Sequence, residues 1–296
     1  MTPNQADPAH DARRRVGKIL STAMAIGGYA CCAVFLIQGF ASGQWPFPGG
    51  DVVDFYAPAG DALRAGGQVY FPGFLYGPPW AVAFGAVSWL GPAAIHAIIL
   101  ALDAVALWTI AGGNLRRLGY ILWFPLIPFE IAAGQLNLLA AAAIVAAQRG
   151  TTWPLAAMSL AKVWPAVALP PRHWRRFLVA IALFSLISLP WLPLWPQWVA
   201  ALIETSAHPL GPVVPVPFVA RAGVAVVLLL FQRPWTRALA AAIISPALYW
   251  GQLVVLVAPF SLWLARRDVR KWNDAPRQGP PCVSAWGLRP PIDSAR

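Results

Sequence analysis

Three acids, Asp51, Asp54 and Asp61, fall between a hydrophobic run ending near Phe40 and another beginning near Tyr76, in a chain with only eleven Asp and Glu. A carboxylate held at a membrane face can act as a general base or bind a cation, whereas lipid-facing carboxylates inside the hydrocarbon are costly. Asp103, Lys162 and Arg221 lie where charge is expensive, within apolar runs or just inside their ends. Lys162 and Arg221 suit an anionic lipid phosphate, Arg by a two-pronged contact and Lys as a point charge. Structural roles stand beside these. Asp51 follows Gly49 and Gly50 and could N-cap a helix, and Asp54 is open to the same reading. Asp61 belongs mainly to a solvated face. Lys162 could pair with Asp103 at similar depth, and Arg221 could snorkel to the outer interface. Glu130, Gln135 and Asn137 flank Gly134, a spacing that gathers polar groups at a helix break, where packing of the break is the simplest role. Glu204 and His208 could meet an acceptor or simply be solvated. His96 and His173 carry no partner pattern.

The elements that must position these residues follow from composition. Apolar residues make up 58% of the chain, charged residues 11%, and the mean hydropathy is +0.59, far from soluble globular averages. The sequence therefore predicts an all-α polytopic membrane protein. Spanning a bilayer takes roughly 20 apolar residues per helix, and about ten crossings are expected, near residues 17–40, 76–90, 93–111, 118–132, 137–148, 153–169, 177–195, 218–231, 235–250 and 253–265. Between 118 and 148, Pro125, Pro128 and the Gly134 break describe a broken helix or re-entrant hairpin equally well. Arg13, Arg14, Arg15 and Lys18 place the N-terminus in the cytoplasm and the acidic segment outside. Alternation then puts Arg172, Arg175, Arg176, Arg233, Arg237, Arg266, Arg267, Arg270 and Lys271 inside and Arg64, Arg116, Arg117 and Arg149 outside. The organisation read this way is a cytoplasmic tail (1–16), a membrane domain (17–265) with outer loops at 41–75 and 196–217, and a disordered cytoplasmic tail (266–296). The first outer loop should contain a short helix lying on the membrane surface, since Phe55, Tyr56, Ala59, Ala62 and Leu63 recur at helical spacing.

Several function classes drop out. The net charge of +11 sits beside the spans, where it sets topology and meets anionic headgroups, so nucleic acid is not an expected partner. Cys and His lack zinc spacing, and Cys31 and Cys32 are adjacent in the first span. No phosphate-binding glycine loop and no nucleophile elbow occur.

The run Asp51-Val-Val-Asp-Phe-Tyr, then Ala59-Gly60, Ala62-Leu63, Gly66 and Tyr70, leading into Tyr76-Gly77-Pro78-Pro79, resembles the first outer loop and second span of glycosyltransferase family 87, in the GT-C class of membrane glycosyltransferases. Gly134-Gln135-Leu136-Asn137, Lys162-Val163-Trp164-Pro165, Pro217-Phe218 with Arg221, and Ser245-Pro246 with Trp250 follow in the family's order. Two departures are Gly77 inside the family's Tyr-Pro-Pro, and Gly251 and Gln252 where acidic or His residues often stand. The resemblance implies a GT-C-like fold at the bacterial plasma membrane, and inverting transfer of a hexose, typically mannose, from a polyprenyl-phosphate carrier to a glycolipid or glycan acceptor on the outer face. It makes Asp51 the first candidate for catalytic base and Asp54 the second. Lys162, Arg221, Tyr56, Tyr76, Gln135 and Asn137 become the substrate-binding candidates. No cofactor and no metal site is implied, and a divalent ion stays open. A transporter or flippase of an anionic lipid or small solute would also want Lys162 and Arg221 inside the membrane, and a non-catalytic accessory member is a third reading.

Overall fold

The computed structural model describes residues 8–43, 50–207, 214–245 and 248–273. His208, one of the possible acceptor contacts, lies outside the described residues. The described elements are helices: α1 (Pro8–Ala41), α2 (Ala57–Arg64), α3 (Pro78–Val87), α4 (Pro92–Ala111), α5 (Leu115–Ile121), α6 (Leu126–Ala133), α7 (Asn137–Gln148), α8 (Trp153–Ala161), α9 (Trp174–Leu186), α10 (Leu194–Ala207), α11 (Phe218–Leu230), α12 (Pro234–Ile243) and α13 (Val257–Asn273). Short 3-10 segments join them, and one π-helical turn, Val52–Tyr56, leads directly into α2.

Two of these helices are long and apolar enough to cross a bilayer unaided. They are the α1 segment Arg15–Ala41, 27 residues with mean hydropathy 1.9, and α4, 20 residues with mean hydropathy 2.0. At about 1.5 Å rise per residue α4 alone reaches about 30 Å, the thickness of a hydrocarbon core. The α6–α7 pair would add a third, but its axes bend by 114° at the break. Gly134 makes that reversal at φ +66°, and a Cβ there would come within 2.5 Å of Val52 Cγ2. Only glycine adopts this conformation without strain while admitting the π-helical turn so closely. Elsewhere the expected crossings are resolved into short helices in series. Proline accounts for many of the breaks: Pro78, Pro92 and Pro234 each open a helix, where the missing N–H costs nothing.

The segment expected as the second crossing, 76–90, holds a shorter helix packed on the preceding loop. α3 has 10 residues, and its partner is α2 in the first outer loop. Gly60 approaches so near that an added Cβ would meet Phe84 O at 2.7 Å. Arg116 Nη2 donates to Thr22 Oγ1 at 3.2 Å, one turn from Lys18 on α1, and Arg149 Nη1 donates to Thr109 O at 2.8 Å, near the end of α4. At the opposite end of α4, His96 Nε2 is 2.9 Å from Ile131 O, beside Gly134 and Val52. Asp51 and this arginine group therefore lie at opposite ends of α4, with the arginines level with the basic end of α1.

Helix also reaches into both segments expected as tails, beginning at Pro8 and continuing through Asn273.

One hydrophobic core runs through α2, α3, α4, α7, α8 and α12, with Leu136, Leu138, Ile144 and Leu155 fully buried. α7 is its centre and is almost wholly enclosed. Outward, large apolar side chains are bare: Ile19 is 69% exposed, Ile203 67%, Val219 80% and Leu230 75%. Apolar exposure on this scale marks a lipid or protein contact, not a face turned to water.

α1 is attached to this core by close backbone approach to α5. A Cβ on Gly28 would stand 1.9 Å from Gly119 O, and one on Gly119 would stand 2.5 Å from Ala25 O. Small residues at such crossings let helix backbones meet, which is the main source of association energy in lipid. Replacing Gly28 by Leu should therefore lower thermal stability in detergent by the equivalent of about 1–3 kcal/mol. Gly39→Leu, at a position with open space around it, should leave the melting temperature unchanged.

Candidate functional site

Two helix breaks and one loop meet beside Asp51. The first break is Gly134–Leu136, between α6 and α7. The second is at Lys162, where α8 ends and the backbone turns extended, φ −141° and ψ 114°, before a 3-10 segment at Trp164–Ala168. The loop is the π-helical turn, in which the N–H of Ala57 bonds to Val52 O and the wide turn carries Tyr56 inward. Single π turns of this kind are frequent at functional sites.

The polar contacts form a connected set. Asn137 Nδ2 donates to Glu130 Oε2 at 3.2 Å and to Gln135 Oε1 at 3.1 Å, and its backbone N–H donates to Glu130 Oε1 at 2.6 Å. Asn137 Oδ1 accepts from Lys162 Nζ at 2.6 Å. Gln135 Nε2 donates to Asp51 Oδ1 at 3.3 Å. Lys162 can only donate, so Asn137 Oδ1 must face it and the amide nitrogen must face Glu130 and Gln135 Oε1, which leaves Gln135 Nε2 for Asp51. On the other oxygen of Asp51, Tyr56 OH donates to Oδ2 at 3.0 Å, and the Tyr56 and Tyr76 hydroxyls are 2.7 Å apart. Tyr76 OH is 3.5 Å from Oδ2. With one proton per hydroxyl, the shorter distances give the order Tyr76 to Tyr56 to Asp51. Lys162 Nζ also lies 5.5 Å above the Tyr76 ring, within cation–π range.

These groups form the floor of a cavity of about 790 Å³, within the size range of small-molecule sites. Asp51, Gln135, Asn137 and Lys162 line it on the polar side, and Phe55, Leu126, Phe129, Val163, Trp164 and Trp250 are among its apolar walls. Phe129, Val163 and Trp250 among these walls are exposed.

Burial pushes the Asp51 carboxyl above the ordinary aspartate range. The Lys162 charge is the largest opposing influence, followed by the bonds from Tyr56, Gln135 and Tyr76. Asp51 does not cap the helix that follows it, since its side chain makes no cap bond. The carboxylate is turned to the cavity instead.

Of the substrate-binding candidates, Tyr56, Tyr76, Gln135, Asn137 and Lys162 converge with Asp51. Asp54 and Arg221 do not. Asp54 is exposed on the outer side of the π-helical turn and does not line the cavity. Arg221 stands behind the wall, where its guanidinium donates to Val216 O at 3.0 Å, Ile243 O at 2.9 Å and Ser245 O. Ser245 itself lines the cavity, so Arg221 ties that lining to α11. The alternative pairing of Lys162 with Asp103 is not formed. Both Asp103 carboxylate oxygens are buried without a hydrogen-bond partner among the described residues. The residue that sequence reasoning left to packing is Glu130, fully buried and bonded twice to Asn137. Its signal was present as a rare acid four residues before a glycine break.

No family model, no curated protein and no solved structure matches this chain.

Two measurements check the geometry. Asn137→Leu removes the partner of Lys162 Nζ and one of the two bonds to Glu130, while the backbone N–H of position 137 still serves the other Glu130 oxygen, and should destabilise the folded protein by about 1–3 kcal/mol, read from denaturant unfolding in micelles. For Asp51, a raised value means the carboxyl takes up its proton at a higher pH than a free aspartate, about 3.9. The infrared carboxyl band that disappears in Asp51→Asn should therefore titrate above that point. It should move higher still in Lys162→Met, because removing the cation removes the influence that favours the anion.

Proposed function

We propose that the protein is a multi-pass membrane hexosyltransferase of the GT-C kind, taking its sugar from a polyprenyl-phosphate carrier. On this reading the N-terminus is cytoplasmic and the Asp51 cavity opens toward the outer face of a bacterial plasma membrane. The crossings beyond α1 and α4 are made by short helices in series, toward the ten that hydropathy suggests. The observation that carries the reading is the shared cavity of Asp51 and Lys162, a base and a cation on one polar floor under apolar walls. Such a site fits a ligand with a charged head and a hydrocarbon tail. Phe129, Val163 and Trp250, exposed beside it, offer the tail a way out into lipid.

The chemistry balances with the residues present. The acceptor hydroxyl gives its proton to Asp51 as its oxygen forms a bond to the anomeric carbon. The bond from that carbon to the carrier phosphate breaks, and the electron pair leaves on the phosphate, whose charge Lys162 stabilises. Attack from the face opposite the phosphate inverts the anomeric centre. Tyr56 and Gln135 hold the carboxylate in place, each on a different oxygen. Arg221 contributes by holding the Ser245 wall, and Asp54 takes no direct part.

A transporter of an anionic lipid is the second reading, favoured by one feature. The α6–α7 break and the break at Lys162 meet at Asn137, and paired discontinuous helices around a polar site are a frequent transporter design. The two readings separate in one assay. Purified protein in liposomes is given radiolabelled polyprenyl-phosphate-mannose and a membrane lipid extract. Label in a new lipid, lost by about 10²- to 10⁴-fold in Asp51→Asn with expression intact, is the expected result for loss of a general base. Label that crosses the bilayer without a new product would establish the transporter instead.

A further inference from the structure

A second, smaller cavity of about 450 Å³ lies against a neighbouring face of α10. Its composition is unlike that of the large cavity. Gln197 and Glu204 come from α10 and Gln68 from the first outer loop, around a floor of Ala200 and Ala201 with Tyr70 at one side. Positions 197, 200, 201 and 204 follow the spacing of a single helix face, so the two polar side chains stand at the ends of a flat, small-residue strip. Gln68 Nε2 donates to Tyr70 O at 2.9 Å, which orients its amide. None of the lining side chains is cationic.

That combination excludes several ligand classes. An anion has no positive partner in these walls and would face the Glu204 carboxylate. A lipid tail would leave two amides and a carboxylate poorly solvated. A neutral polyhydroxylated ring satisfies both demands. Planar carboxylate and amide groups engage adjacent hydroxyl pairs, and the apolar face of a sugar ring can lie on the alanine strip. The volume is in the range of small-ligand sites and suits one or two sugar rings.

The two cavities share their dividing wall. Leu202 and Thr205 of α10 line the large cavity, while the groove uses the neighbouring face of the same helix. Trp198 Nε1 donates to Leu75 O at 2.9 Å, fastening α10 to the chain that leads into Tyr76. Tyr70 OH donates to Tyr76 O at 3.1 Å, so the groove is connected by one hydrogen bond to a residue of the Asp51 floor. A helix with its side chains is about 10 Å across, roughly the length of two linked sugar rings.

We propose that the groove between α10 and the Gln68–Tyr70 segment is a carbohydrate-binding subsite that seats neutral glycan. Its role as the seat of the acceptor rests on the transferase reading, whereas binding itself does not. The full-length protein in phospholipid nanodiscs, with no sugar-headed detergent present, is mixed with mannobiose, maltose or cellobiose, and saturation transfer from protein methyl groups to sugar protons is measured by NMR. The expected result is transfer to at least one disaccharide, weakened about tenfold or more by Ala201→Trp, which fills the floor, and by the double variant Gln197→Leu with Glu204→Leu. Binding should persist in Asp51→Asn. Absence of transfer to all three sugars overturns the proposal, as does binding that survives both groove variants or that is lost in Asp51→Asn. Failure of the transferase reading alone would look different: disaccharide binding that depends on the groove, with no labelled lipid product in the liposome assay.

Discussion

An ammonium group inside an apolar protein has to be given partners, and Lys162 obtains one from Asn137. The amide oxygen accepts from Lys162 at 2.6 Å while the amide nitrogen and the backbone N–H are both committed to Glu130. Lys162 and the buried acid Glu130 are thereby joined through one neutral side chain. Low dielectric makes such a network strong when complete and costly when any member is missing. The remaining arrangement depends on it, because Asn137 also sets the direction of Gln135, and Gln135 holds one oxygen of Asp51.

The network needs irregular backbone. A continuous α-helix spends its N–H and C=O groups on itself, so polar side chains can converge from different helices only where helices stop. Gly134 stops α6 at a positive φ, and the extended backbone at Lys162 stops α8. Backbone freed in this way survives at membrane depth only where it is enclosed by protein or lines a cavity. Both breaks satisfy this condition, since α7 and α8 are packed in the core and the breaks open on the same cavity.

Charge placement gives the site its polarity. One lysine and two acids, Lys162, Asp51 and Glu130, are linked through Asn137 and Gln135. Glu130 is fully occupied by Asn137, which leaves Asp51 as the acid facing open space. Tyr56 and Tyr76 support it from the other side, stacked edge to face at 5.1 Å and backed by Phe84. An aromatic wall of this kind keeps the Asp51 oxygens oriented while limiting water on one side.

Much of this was legible in the residues taken one at a time. Helical architecture and membrane character follow from apolar content, because no water-facing fold accommodates such runs. Asp51, Lys162, Gln135 and Asn137 were conspicuous as polar groups at helix ends or within apolar runs. What the linear pattern did not contain was which of them touch. Asp54 and Arg221 have the same local credentials as Asp51 and Lys162, yet one faces outward from the π-helical turn and the other is spent on backbone carbonyls. Segment 76–90 has the hydropathy of a crossing, yet it packs closely on Gly60, and Arg116 and Arg149 lie at the other end of α4 from Asp51. Hydropathy and spacing are properties of neighbours along the chain, so they determined the class of protein and the candidate groups. Partners in a site come from positions far apart in sequence, such as 51 with 135 and 137 with 162, and only the packed tertiary structure decides those contacts.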